Sequence, residues 1–323
     1  MKLFSYSTDN EYRLGALVDG TCYDLNRANP LLADSMSDLL DGGENAMELA
    51  RRTVSCIKNG SLPTAPLTAP KFVAPVPKPS SCRDAYAFRQ HVETARRNRG
   101  VPMIPEFDDF PVFYFTNHRA IVGPGDVYCM PAHLEELDFE LEVAVVLNRR
   151  GRNIKAADAD RHIGGYMIMN DWSARQLQME EMKLSLGPAK GKDFATAMGP
   201  YLVTPDELIP YKVDPKAGHV GDAFNLEMTC AVNGIRVSTG NLADMHWTFA
   251  EIIERVSYGV DVFPGDIIGS GTVGTGCFLE LNGTGKREDP LYESQWLKPG
   301  DTVEMEVTGL GCLVNTVRLE NAS

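Results

Sequence analysis

From Asp138 to Val143 acidic and apolar residues alternate one for one, in the run Asp138-Phe139-Glu140-Leu141-Glu142-Val143-Ala144-Val145. Side chains two apart on a strand share a face and sit about 6.5 Å apart. The run therefore predicts a strand over Asp138–Asn148 with one packed apolar face and one face carrying Asp138, Glu140 and Glu142. Three stacked carboxylates repel one another unless they are solvated, protonated or bridged by a cation. Taken alone, the segment reads as a solvated strand face.

A second carboxylate shifts that balance. The apolar run Tyr166-Met167-Ile168-Met169-Asn170 ends on Asp171, where a helix over Trp172–Met182 is expected to begin. Asp171 is then either an N-cap or a ligand presented by a strand end. Carboxylate oxygens with water in the remaining positions suit a hard cation, Mg²⁺, Mn²⁺ or Ca²⁺, and suit zinc poorly.

The rest of the chain frames these segments. Six prolines between Leu62 and Ser81 mark a linker or extended crossing, with the linker proper over 71–81. Before it, residues 1–70 form a small N-terminal unit. Short strands are expected over Lys2–Ser7, Tyr12–Val18 and Thr21–Leu25, with Asp19-Gly20 as a turn, and helices around Leu31–Leu40 and Asn45–Ile57. That unit holds no catalytic constellation and reads as a packing or dimer-shaping appendage. Residues 82–323 form the larger domain. Arg83–Arg99 has helical character, and Asn225–Val232, Asp266–Ser270, Cys277–Asn282, Thr302–Thr308 and Cys312–Arg318 read as strands. A late helix covers His246–Val256. Many strands and few helices predict a β-dominated α+β fold.

Composition excludes some partners. A formal charge of -13 repels nucleic acid and anionic membranes, and Arg96-Arg97-Asn98-Arg99 is too short to reverse that. No apolar run approaches the roughly 18 residues of a membrane span, and the N-terminus lacks a signal-peptide core. Seven scattered cysteines without a CxxC pair read as reduced thiols in a cytoplasmic protein.

The run Met169-Asn170-Asp171-Trp172-Ser173-Ala174-Arg175 with Gln178, preceded by Glu140-Leu141-Glu142, resembles the fumarylacetoacetate hydrolase family. Gly191-Lys192-x-Phe194, Gly269-Ser270-Gly271-Thr272, Leu279-Glu280-Leu281 and the upstream Asp84-x-Tyr86-x-x-x-x-His91 match in order, over about residues 80–320. The resemblance implies a mixed β-sandwich roll, usually a homodimer. It implies metal ligation by Glu140, Glu142, Asp171 and Asp84, and water activation by His91 with Glu280. Lys192, Tyr86, Tyr114, Gln178 and Thr272 match substrate-lining positions, and an ammonium at Lys192, set between Gly191 and Phe194, suits stabilisation of the oxyanion that forms when water attacks. The arginine expected after His91 is Arg96, Arg97 or Arg99.

Local chemistry agrees in part. On one helix Asp84 and His91, seven apart, would face one pocket. A histidine titrates near working pH, and a carboxylate such as Glu280 fixes its tautomer. Among the other histidines, His133 is the one close to the acidic strand. Gly269-x-Gly271-x-x-Gly274 satisfies the dinucleotide fingerprint, but the sequel Cys277–Leu281 reads as a strand where that fingerprint needs a helix. The implied activity is metal-dependent hydrolysis of a carbon–carbon bond in a 1,3-dicarbonyl, a small anionic 2,4-dioxo acid. Oxaloacetate decarboxylation, isomerisation of an oxo acid, and ligand binding without turnover are the rival readings.

Overall fold

The computed structural model describes residues 1–9 and 11–321. Its main sheet has eleven strands. The strands that position the site run Thr196–Val203, Ile163–Asp171, Leu141–Leu147, Asp266–Gly269, Ser81–Ala85 and Phe113–Phe115, each paired with the next. Ser81–Ala85 lies parallel to Asp266–Gly269; the other neighbours in this set are antiparallel. A second sheet of five strands runs Ile235–Asn241, Glu227–Val232, Thr302–Val307, Gly311–Leu319 and Gly125–Cys129. The result is an α+β, sheet-dominated mixed sandwich.

The central strand Leu141–Leu147 is buried along its whole length. Leu141, Val143, Val145 and Leu147 enter the large core with Met228, Cys230, Met305 and Val317 of the second sheet. Ala144 and Val146 enter a second core with Met167, Met169, Leu39 and Leu40. Period-two alternation thus sends one set of side chains between the sheets and the other toward the N-terminal helices Met36–Asp41 and Gly43–Lys58. The carboxylate-bearing face is consequently enclosed, and the solvated reading of this strand fails.

The N-terminal residues continue the main sheet. Lys2–Ser7 pairs with Thr196–Val203, Tyr12–Val18 and Lys71–Phe72, the last lying inside the proline-rich stretch. Asp19 and Gly20 both have positive φ, 46° and 81°, as the expected hairpin turn requires. All seven cysteines are free thiols. Among the described residues no helix is long and apolar enough to cross a membrane.

Four expectations are overturned. The strand expected over Asp138–Asn148 is split into Leu137–Asp138, which pairs with Ser173–Ala174, and Leu141–Leu147, with Phe139 and Glu140 between them. Arg83–Arg99 is not one helix: Ser81–Ala85 is a strand, and the helix covers Arg89–Asn98. Pairing with two neighbours outweighs the local helical propensity of the first residues. The helix after Asp171 begins only at Arg175, with Ala174 at its N-cap, so Asp171 caps nothing. Finally, Cys277–Asn282 is not a strand but opens the helix Phe278–Glu288. Cys277 at the N-cap makes no side-chain cap bond. Instead the buried carboxylate of Asp138 accepts the N–H groups of Phe278 at 2.7 Å and Leu279 at 2.9 Å. A carboxylate from 140 residues away supplies the cap that local sequence lacks.

Candidate active site

Strand register assembles the carboxylates. Asp84 lies opposite Gly269 on one side and Tyr114 on the other, Glu142 opposite Met169, and Asp171 opposite Thr196. Glu140 stands just before the Leu141–Leu147 strand, its backbone N–H held by Asn170 Oδ1 at 3.0 Å. Asp84, Glu140, Glu142 and Asp171 each bring an oxygen within 4.8 Å of all the others, and every one is buried. Glu142 Oε1 and Asp171 Oδ1 are buried without a hydrogen-bond partner. Carboxylates packed this closely need a cation or protons, and two unpartnered oxygens in an all-oxygen donor set fit a hard divalent cation.

Fixed cations offset part of this charge. Lys192 Nζ lies 2.6 Å from Glu140 Oε2 and 2.8 Å from Asp171 Oδ2. Arg175 bridges Glu140 at 2.7 Å and Asp138 at 2.8 Å. Burial pushes Glu140 up, but Lys192, Arg175 and His91 overcome it and hold Glu140 down at about 2. Burial and the Asp171 carboxylate push Asp84 up to about 8. Glu142 is raised well above the carboxylate range by burial, Asp84, Glu140 and Asp171. Burial likewise raises Asp171, with Lys192 opposing it. Asp171 and Glu140 keep Lys192 charged against the pull of burial.

The glycine loop completes the cluster. Gly271, at φ +79°, donates its N–H to Asp84 Oδ1 at 3.0 Å and Glu142 Oε2 at 3.1 Å. A Cβ there would stand 2.6 Å from the Ala85 carbonyl oxygen, so only glycine brings the backbone this close. A helix does follow this loop, contrary to the strand on which the fingerprint was set aside, and it begins after Cys277. The loop's amide at Gly271 is directed at protein carboxylates.

A cavity of about 540 Å³ opens onto the cluster. Asp84, Tyr86, His91, Tyr114, Glu140, Gln178, Lys192 and Thr272 all line it. His91 Nδ1 lies 2.7 Å from Glu280 Oε2, and both side chains are buried. His91 comes from the Arg89–Asn98 helix and Asp84 from the preceding strand, so the two share a pocket without sharing a helix. Tyr114 donates its hydroxyl to Asp171, and burial with that carboxylate raises the phenol far above its ordinary range. Tyr86 stands edge-on to His91, with ring centroids 5.9 Å apart. Of the three arginines after His91, Arg99 is the one in the cavity lining.

Other residues take unexpected places. Asp138 sits apart from the four-carboxylate cluster, bound to Arg175 and the helix at Phe278. Arg175, noted only as part of a motif, is the buried link between that cap and Glu140. Cys277 brings its sulfur within 4.8 Å of the donor atoms of His91 and Glu280; no spacing rule pointed to it. His133 stacks on Phe194 at 4.2 Å, and its Nδ1 accepts the Met130 N–H. Lys190 is exposed and pairs with Asp193.

A buried four-carboxylate cluster able to hold a divalent cation, beside a His–Glu pair and a cavity on a mixed sandwich, is the layout of an enzyme that acts on small organic acids. Residues 81–318 match the C-terminal domain of fumarylacetoacetate hydrolase, and the chain belongs to the fumarylacetoacetate hydrolase family. Over 299 residues it is 33% identical to a mitochondrial oxaloacetate tautomerase of Bos taurus, covering 92% of this chain and 84% of that one. A mitochondrial oxaloacetate tautomerase of Homo sapiens is 32% identical with the same coverage. The solved fumarylacetoacetate hydrolase of psychrophilic Exiguobacterium antarcticum superposes with a TM-score of 0.70 at 25% identity, covering 99% of this chain and 100% of that one.

Proposed function

We propose that this protein is a divalent-metal-dependent hydrolase that cleaves a carbon–carbon bond in 2,4-dioxo acids of the acylpyruvate type. The observation that carries the reading is the His91–Glu280 pair, 2.7 Å apart, with His91 opening on the same cavity as the carboxylate cluster. Asp84, Glu140, Glu142 and Asp171 are the residues that would hold a cation such as Mg²⁺, Mn²⁺ or Ca²⁺. When bound, it supplies positive charge that polarises the dioxo acid and favours its enolate.

The chain's own groups account for the proton and charge movements. Nδ1 of His91 is turned to Glu280, which leaves Nε2 to accept a proton from water. The hydroxide adds to the carbonyl carbon distal to the carboxylate. Lys192 has three N–H groups; two point at Glu140 and Asp171, and the third is available to the developing oxyanion. Arg175 donates to Gln178 Oε1 at 3.0 Å, which orients the Gln178 amide NH₂ as a second donor. The bond between the two carbonyl-bearing fragments then breaks. Its electron pair goes to the pyruvate methylene carbon, which takes the proton back from His91, and the acyl fragment leaves as a carboxylate.

Oxaloacetate tautomerisation is the second reading, favoured by the relatives that carry that name. The deciding experiment assays purified protein on acetylpyruvate and oxaloacetate, with Mg²⁺ and with chelator, in wild type and His91→Ala. Release of acetate and pyruvate from acetylpyruvate that needs both the metal and His91 supports the hydrolase, whereas pyruvate formed from oxaloacetate alone is decarboxylation and rejects it. Tautomerisation alone, with no product of bond cleavage, rejects it. The homodimer implied by the family is part of the same proposal and is read by light scattering.

A further inference from the structure

The cavity joins the polar cluster to a largely apolar remainder of its lining. Beyond the cluster, His91, Lys192 and Gln178, its walls include the apolar Ala95, Val112, Phe113, Met179, Met182 and Leu279, with Asn98 and Thr272 as neutral polar groups among them. The one cationic side chain in this outer lining is Arg99, which is exposed and donates its Nε to the Ala95 carbonyl at 3.2 Å. Lys192 and Arg175 are already committed to carboxylates.

A smaller recess of about 120 Å³ adjoins this outer half. Tyr86 and Val112 line both spaces. The recess is otherwise walled by Val92, Ile104, Phe107 and Phe110, with Trp247 and the exposed Glu106. Trp247 is fixed there by its indole N–H, which donates to the Phe107 carbonyl at 3.0 Å. Among the lining residues the one charged group is Glu106, the Arg255 guanidinium stands outside on the Phe110 ring, and the remaining walls are aromatic and aliphatic.

A compact dianion such as oxaloacetate would occupy the polar end and leave the apolar half empty. A tail ending in a carboxylate would carry that charge past Arg99 to the recess beside Glu106, where the lining residues include no cation and the Arg255 guanidinium is stacked on the Phe110 ring at 4.7 Å. Resting on the hydrolase reading above, we infer that the substrate carries an apolar acyl tail, alkyl or phenyl, which lies along Val112, Met179 and Met182 and ends in the recess behind Tyr86. Val112 and Phe110 are then specificity-determining residues, and selection between dioxo acids is made by burial of hydrocarbon.

The test is a series of acylpyruvates from acetyl through butanoyl and hexanoyl to benzoyl, with the ω-carboxylated analogue of the hexanoyl compound and oxaloacetate alongside. The expected result is kcat/KM rising about three- to fourfold per methylene, the value of burying one CH₂ group. The ω-carboxylate should fall at least about tenfold below hexanoylpyruvate. In Val112→Trp, which enlarges a wall common to the two spaces, the rise with chain length should disappear. A flat or falling series with good turnover of acetylpyruvate overturns the tail and leaves the hydrolase intact. Preference for oxaloacetate overturns the tail and favours the tautomerase. Failure to cleave any dioxo acid overturns the hydrolase and the tail together.

Discussion

Nδ1 of His91 and Oε2 of Glu280 lie 2.7 Å apart in the protein interior, although 189 positions separate them in the chain. The contact exists because the Arg89–Asn98 and Phe278–Glu288 helices pack together, and Asn98 ties them by donating to the Glu280 carbonyl at 3.0 Å. Glu280 sits in the first turn of its helix, whose start is set by Asp138.

His91→Ala should lower kcat for acylpyruvate cleavage by roughly 10²–10⁴-fold, the usual worth of a positioned base. Glu280→Gln keeps a hydrogen bond but not the charge, and should lower kcat less while leaving KM within about twofold, since it acts through His91. Steady-state kinetics read both. An unaltered kcat in His91→Ala removes the base from the mechanism.

The carboxylate cluster makes stability and metal binding depend on pH. Asp84 is pushed up to about 8 by burial and Asp171, and Glu142 is also raised. A carboxyl with a higher pKa folded than unfolded binds its proton more tightly in the fold. The metal-free protein should therefore lose stability as pH rises from about 4, the unfolded carboxylate value, to about 8. A cation competes with those protons, so its affinity should rise over the same window and its binding should release protons. Thermal melts with and without Mg²⁺, and calorimetry in buffers of different ionisation enthalpy, measure both effects. A metal-free melting temperature that climbs toward pH 8 contradicts this reading.

Arg175 connects Glu140 to the cap of the Phe278–Glu288 helix through Asp138. Arg175→Ala leaves two buried carboxylates without their shared partner and should destabilise the fold by about 3–5 kcal/mol. Asp138→Ala should do the same and also loosen the helix that carries Glu280. Urea denaturation gives the stability. Hydrogen exchange at the Phe278 and Leu279 amides separates the cap from the ion pair, because Asp138→Ala should expose those two amides more than Arg175→Ala does.

Gly271→Ala places a methyl 2.6 Å from the Ala85 carbonyl oxygen at a φ of +79°. The strain should cost about 1–3 kcal/mol of stability. The shift of the amide away from Asp84 and Glu142 should also weaken Mg²⁺ binding, read by calorimetric titration. Wild-type stability and affinity in this variant would show that the close approach is dispensable.

Much of the site was legible because its chemistry is carried by short local patterns. The period-two run at Asp138–Val143 is buried and its second half forms the Leu141–Leu147 strand, and the motif residues from Asp84 to Glu280 gather at the carboxylate cluster, the His91–Glu280 pair and the cavity beside them. Local patterns failed where a distant partner decided the outcome. Phe278-Leu279-Glu280-Leu281 has strand-like alternation, yet it is helical because Asp138 satisfies its first amides. Asp84 sits on a strand despite a helix-favouring neighbourhood because Gly269 and Tyr114 pair around it.

The sequence by itself determined which side chains supply carboxylates, imidazole and ammonium, and the strand faces that carry many of them, since residue type and period are local properties. Tertiary structure alone decided that Asp138 leaves the cluster to cap a helix, that Lys192 locks onto Glu140 and Asp171, and that Asp84 and Glu142 are raised while Glu140 is lowered. The physical reason is that the protonation state of a buried group is set by its burial and by the charges within a few ångströms of it. In this fold those charges arrive from strands and helices far apart in the chain.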